Sequence, residues 1–128
     1  MADATVAISV TKPRPIQTAI CHCTDCQTLS GTAFRTAIRI PAHDFRLLSG
    51  EPAIYVKTTD RGSKTAQAFC PRCGSQIYAS HVEDPKFFAV RVGTVKQRNE
   101  LEPKVQVCTR SQVPWLQKLG SIARLDEQ

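Results

Sequence analysis

Cys21-His22-Cys23-Thr24-Asp25-Cys26 places three thiols and an imidazole within six residues. A second, sparser knuckle follows at Cys70-Pro71-Arg72-Cys73-Gly74. Thiolates are soft ligands that zinc accepts tetrahedrally, and a Cys-x-x-Cys turn can put two sulfurs on one ion. Gly74, just past the second pair, suits a tight turn that needs a positive φ. Five of the six cysteines lie in these two clusters. Forty-three residues separate Cys26 from Cys70, so the knuckles can meet only through tertiary folding. The pattern points to zinc; the competing readings are a disulfide pair or inert buried thiols.

Composition sets the background. The chain has 128 residues, 41% hydrophobic and 22% charged, which fits one soluble domain with a real core. No apolar run approaches a membrane span. The N-terminus shows neither the apolar stretch nor the cleavage site of a signal peptide. A cytoplasmic, reducing location is therefore expected, where clustered cysteines bind metal rather than pair as disulfides. The formal charge is +6, and two zinc ions on five thiolates would lower it by one. A basic balance can draw a small acidic metabolite or nucleic acid. The basic residues are scattered and no aromatic stacking motif interleaves them, which argues against nucleic acid.

Outward from the knuckles the chain reads as short strands. Thr5 to Val10 alternates, with Val6, Ile8 and Val10 on one side. Lys12-Pro13-Arg14-Pro15 breaks that pattern, and Ile16 to Ile20 delivers the chain to the first knuckle. Asp25 to Leu29 suits one helical turn, ended by Ser30-Gly31. From Ala33 to Ile40, Phe34, Thr36, Ile38 and Ile40 share one face, predicted as core; Arg35 and Arg39 share the other, predicted as wet. Pro41 to Phe45 reads as a helical turn begun by proline, with Phe45 and Leu47 returning to the core. Ala53 to Thr58 and Lys64 to Phe69 form a hairpin around Asp60-Arg61-Gly62-Ser63. Gln76 to Ala79 leaves the second knuckle, which thus sits between strands as in a zinc ribbon. Lys86 to Val92 is the most apolar strand and is expected to be central. Lys104 to Cys108 is the last strand, and Val113 to Leu119 suits a short helix with Trp115, Leu116 and Leu119 as its apolar side. Period-2 patterns dominate, so the fold is mainly β.

The motifs together resemble the family of glutathione-dependent formaldehyde-activating enzymes, the Gfa-like or centromere-protein-V-like domain. The matching pieces are Cys21-His22-Cys23-Thr24-Asp25-Cys26-Gln27 with Ser30-Gly31, then Phe69-Cys70-Pro71-Arg72-Cys73-Gly74-Ser75 with Tyr78. Arg91-Val92-Gly93-Thr94 and Ser111-Gln112-Val113-Pro114-Trp115 follow in the same order. The resemblance spans nearly the whole chain and implies one Gfa-like zinc-binding domain over residues 1–128. It implies an Mss4-like fold of small β-sheets around zinc knuckles, and two zinc ions. One, called catalytic, would fall on Cys21, Cys23 and Cys26. The other, structural, uses an N-terminal Cys-x-Cys with the later pair, here Cys70 and Cys73. The implied activity is that of a carbon–sulfur lyase, forming or cleaving S-hydroxymethylglutathione from glutathione and formaldehyde.

The sequence departs from that pattern at one place. The N-terminal Cys-x-Cys is missing; its positions fall near Met1 and Asp3, and of these only Asp3 could ligate. Cys70 and Cys73 are then left to recruit Cys108, to share a zinc with the first knuckle, or to bind no metal. Cys108 itself reads as a buried core thiol on an apolar strand face.

Three thiolates leave a fourth zinc position open, as in catalytic sites. A thiol entering it would lose its proton, and the activated sulfur could attack an aldehyde carbonyl. An electron-rich Cys₃ zinc is a weak Lewis acid, so thiol activation suits it better than polarising water. Arg35, Arg39, Arg72 and Arg91 are candidates to hold the carboxylates of glutathione, each against the plain reading of a solvated arginine. His22, between two ligands, is expected to point away from the metal. His43 reads as a surface or capping residue. His81 opens a loop beside the second knuckle. Three functions stay in play: thiol and aldehyde chemistry, a zinc-stabilised binding or scaffold module without turnover, and nucleic-acid binding.

Overall fold

A computed structural model describes residues 7–10 and 18–128. The expected strand start at Thr5 and Val6, the Lys12–Pro15 break, Ile16, Gln17, Met1 and Asp3 lie outside the described residues. The elements in order are β1 (Ala7–Val10), β2 (Thr18–Cys21), α1 (Thr24–Ser30), β3 (Arg35–Pro41) and β4 (Phe45–Ser49). Then come β5 (Ala53–Thr58), β6 (Lys64–Phe69), β7 (Gln76–His81), β8 (Phe87–Arg91) and β9 (Val105–Val107). The protein is predominantly β, as its period-2 patterning requires.

Strands β1 and β4 pair antiparallel as a small sheet. The other seven form one sheet in the order β5-β6-β7-β8-β3-β2-β9. Neighbours are antiparallel except β9, which runs parallel to β2. The most apolar strand, β8, is the middle one of the seven, where both its edges are paired. The hairpin β5–β6 and the second knuckle between β6 and β7 stand where the sequence reading put them.

Register settles which residues share a face. Ile38 lies opposite Val90, and Ile40 opposite Phe88. With Val92, Val95 and Leu101 they make the main core, against which Phe45, Tyr78 and Phe88 pack. Phe45 stacks on Phe88 with ring centroids 4.2 Å apart and meets Tyr78 edge-on at 5.1 Å. Leu47 does not follow it inward. It is 43% exposed: among the described strands β4 pairs only with β1, and Arg46 to Ser49 face solvent. Pro41 precedes a 3₁₀ turn at Ala42–Asp44, as expected of proline at a helical start.

The opposite face carries Cys21, Arg35, Ala37, Ala89, Arg91, Ala79 and Gln67 in register. This face is not simply wet. Ala37 and Ala79 are 8% exposed and Arg91 only 7%. The reason is α1, which follows the first knuckle and is tied across the sheet. Asp25 on α1 reaches Lys57 on β5 at 3.2 Å, and Gln76 at the start of β7 donates to the Leu29 carbonyl. The short alanine side chains leave room beneath it.

The C-terminal segment differs from the sequence expectation. The helix is a 3₁₀ stretch at Leu116–Ser121, and Trp115 and Leu119 are about half exposed. Val113-Pro114 delays its start, since proline disfavours helical backbone in the residue before it.

Candidate metal centre

The first knuckle is built at the junction of β2 and α1. Cys21 closes β2, opposite Arg35. Cys23 caps α1 in extended conformation, and its sulfur accepts the Cys26 backbone N–H at 3.3 Å. The helix is seven residues long because Gly31 ends it in the left-handed region (φ 71°) and donates its N–H to the Gln27 carbonyl at 2.9 Å. These constraints set the spacing: the Sγ atoms of Cys21, Cys23 and Cys26 lie within 4.8 Å of one another. Tetrahedral zinc asks for sulfurs about 3.8 Å apart, from Zn–S bonds near 2.3 Å. The donor set and its spacing fit such an ion. Among the described residues no two cysteines are joined in a disulfide.

The thiols are not equivalent. Burial pushes Cys21 up, but hydrogen bonds from the Cys23 backbone and from the Cys26 and Cys23 thiols, with the charge of Arg35, hold it below the ordinary thiol value. Burial dominates at Cys26 and raises it strongly, despite Arg35. The cluster therefore shares protons, with Cys21 the preferred thiolate.

Two guanidiniums stand against it. Arg91 donates to the Ala89 carbonyl (3.2 Å) and to Gln67 Oε1 (3.1 Å). Burial first, then the neighbouring Arg35, lowers Arg91 to about 10, while Cys26 and Cys21 act in the opposite sense. The Nε atoms of Arg35 and Arg91 are both buried without a hydrogen-bond partner. The other two candidate arginines are placed elsewhere: Arg39 sits over the Phe87 ring at 3.9 Å, and Arg72 is exposed in the second knuckle.

His22 is fully buried and points away from the thiols, as strand alternation dictates. Its Nε2 lies 2.7 Å from Gln106 Oε1 on β9, its ring is 5.9 Å from Phe34, and Nδ1 has no hydrogen-bond partner. His43 is exposed beside Asp44 (3.5 Å), and His81 pairs with Thr65 at the far end of β7. Neither joins a ligand group of three or more.

The second knuckle makes the expected turn. Gly74 has φ 78° and donates to the Cys70 carbonyl at 2.8 Å; Cys70 donates to the Ser75 carbonyl at 2.8 Å. Cys70 is buried with Ile77 and Tyr78, whereas Cys73 is exposed, its thiol 3.2 Å from Ser75 Oγ. Among the described residues Cys70 and Cys73 fall in no group of three or more ligands.

Cys108 corrects the sequence reading. It is exposed rather than in the core. The parallel pairing of β9 with β2 sets Val107 opposite Cys21, so the next residue arrives at the first knuckle. A parallel pair across eighty-odd residues leaves no local signal, and alternation alone put Cys108 on the wrong side. Gln27 was also missed. Its Nε2 donates to the His22 carbonyl (2.7 Å) and the Ser111 carbonyl (2.9 Å), fastening α1 to both strands' ends.

The model of the family described as glutathione-dependent formaldehyde-activating enzyme matches residues 4–111. A crystal structure of a Rhodobacter sphaeroides protein superposes with TM-score 0.59 at 19% identity, over 80% of this chain and 93% of that one, which is a likeness of fold. No curated protein matches the chain. Among the described residues no helix is long and apolar enough to cross a membrane.

Proposed function

The chain belongs to the glutathione-dependent formaldehyde-activating enzyme family, and on that premise we propose that it is a zinc-dependent enzyme of the carbon–sulfur lyase type. Its substrates would be adducts of a small thiol with an aldehyde, such as S-hydroxymethylglutathione. The observation that carries this reading is the cluster of Cys21, Cys23 and Cys26 sulfurs within 4.8 Å, beside the buried Arg91 and half-buried Arg35.

Cys21, Cys23 and Cys26 would hold the zinc, which when bound lowers the pKa of a thiol in its remaining position. In the synthetic direction a carbon–sulfur bond forms between the thiol sulfur and the aldehyde carbon, and the carbonyl oxygen gains the proton the thiol gave up. Arg35 and Arg91 offset the charge that three thiolates and a fourth sulfur would gather in a poorly solvated place. Arg35, being the less buried, is the better placed to meet a carboxylate of the thiol. We read Cys70 and Cys73 as the remnant of a second, structural site, residues 1–128 as one domain with the Mss4-like fold, and the location as cytoplasmic.

A non-catalytic zinc-stabilised module is the second reading. One observation favours it: the parallel pairing of β9 with β2 brings a fourth thiol, Cys108, to the first knuckle, where it could close the centre.

The test is calorimetry of glutathione with the zinc-loaded protein, followed by S-hydroxymethylglutathione formation measured against the uncatalysed background. Metal-dependent binding with rate enhancement supports the enzyme. Binding without enhancement leaves only a thiol-binding module, and no binding of glutathione or other small thiols sinks the catalytic reading.

A further inference from the structure

Cys108 has no place in the first-knuckle ligand set taken from the sequence, yet two sets of contacts deliver it to that knuckle. The His22 N–H donates to the Val107 carbonyl at 3.1 Å, joining the knuckle to the residue before Cys108. Gln27 holds the carbonyls of His22 and Ser111 together, so the Thr109–Ser111 turn is fastened to α1. Val107 lies opposite Cys21 in the parallel β2–β9 register, so Cys108 follows at the strand end beside the first knuckle. Cys108 also adopts a left-handed backbone (φ 56°, ψ 38°), a conformation glycine or asparagine would take at less cost.

We propose that Cys108 is the fourth sulfur ligand of the metal held by Cys21, Cys23 and Cys26. The inference rests on the reading of this centre as a zinc site. Zinc in a thiolate setting completes a tetrahedron, and a thiol already tethered to the same knuckle is a ready soft donor. Cys108 stands outside the mutual 4.8 Å spacing of the triad, so ligation draws the exposed turn inward. Its position sets its character. The triad sulfurs sit on a strand end and a capped helix, two of them buried; Cys108 sits on an exposed turn. It is therefore the ligand an incoming thiol would displace. The centre is closed at rest and opens by exchange of one sulfur for another.

The experiment counts sulfurs around the metal. X-ray absorption on the zinc protein and the visible spectrum of its cobalt(II) form should give four sulfurs for wild type. For Cys108→Ser they should give three, plus one oxygen or nitrogen. Three sulfurs in both proteins overturn the proposal. Alkylation with iodoacetamide, read by mass spectrometry, gives a second measure: Cys108 should lose reactivity on zinc loading, and equal reactivity in apo and zinc forms overturns it. Glutathione should bind zinc-loaded Cys108→Ser about tenfold tighter than wild type, since a tethered competitor acts at millimolar effective concentration. Four sulfurs in wild type with no glutathione binding to either protein uphold Cys108 and remove the enzyme reading. Three sulfurs with glutathione bound do the reverse. Absence of metal from the triad in both proteins overturns both.

Discussion

His22 Nε2 lies 2.7 Å from Gln106 Oε1, joining residues eighty-four apart in sequence beneath the cysteine cluster. Both side chains point to the face opposite the thiols, so this contact positions the knuckle rather than taking part in its chemistry. With Gln106 Oε1 accepting, Nε2–H is the donor.

Gln106→Leu should therefore destabilise the protein by about 1–3 kcal/mol, the usual cost of leaving a buried polar group without its partner. Gln106→Glu keeps an acceptor at the same place and should recover much of the loss. Denaturant unfolding of the zinc-loaded proteins measures both. Equal stability of Gln106→Leu and wild type would show the bond to be dispensable.

Metal removal should loosen the whole β2–α1 junction, since the metal would bond all three sulfurs whereas the Cys26 N–H to Cys23 Sγ cap joins only two of these residues. With free zinc a thousandfold above its Kd, ligand linkage contributes about 4 kcal/mol. A chelator, or Cys26→Ser, should lower the melting temperature accordingly. Metal analysis of reduced, purified protein should find at least one zinc per chain. A well-folded chain without metal contradicts the zinc reading.

Arg91→Met should weaken metal binding by about 10- to 100-fold, as loss of a supporting residue typically does. Arg91 is 7% exposed and acts on Cys21 and Cys26, and its replacement leaves Arg35 alone to offset the thiolate charge. Competition against a chromophoric zinc chelator reads the change. Arg39→Met is the control: Arg39 is exposed over Phe87 and should leave the affinity unaltered.

Gly31→Ala should cost roughly 1–2 kcal/mol, the penalty of a left-handed backbone for a residue with a Cβ. Nothing lies within 4 Å of the added Cβ, so the cost is conformational and not steric. Thermal unfolding should show it, and Gly31→Asn should be milder because asparagine tolerates this region. An alanine variant as stable as wild type would mean that the α1 terminus relaxes freely.

The sequence by itself determined the local pieces. Alternation marked Ile38 and Ile40 as core, proline marked the turn after β3, and the spacing of Cys21, Cys23 and Cys26 marked a thiol cluster fit for a metal, because each depends on residues a few positions apart. Sheet order and the second layer around the triad were decided only in the tertiary structure. The parallel β9–β2 pairing is non-local, and it reversed the reading of Cys108 from core thiol to neighbour of Cys21. The arginine face of β3 looked wet throughout because strand period distinguishes two faces but not what covers them; α1, held by the Asp25–Lys57 ion pair, covers the Arg35 end, while Arg39 is exposed as expected. Arg35 and Arg91 come from strands fifty residues apart and meet at the thiols because β3 and β8 are neighbours in the sheet. Hydrophobic pattern chooses a face for each strand, and only the closing of long loops chooses which strands lie side by side.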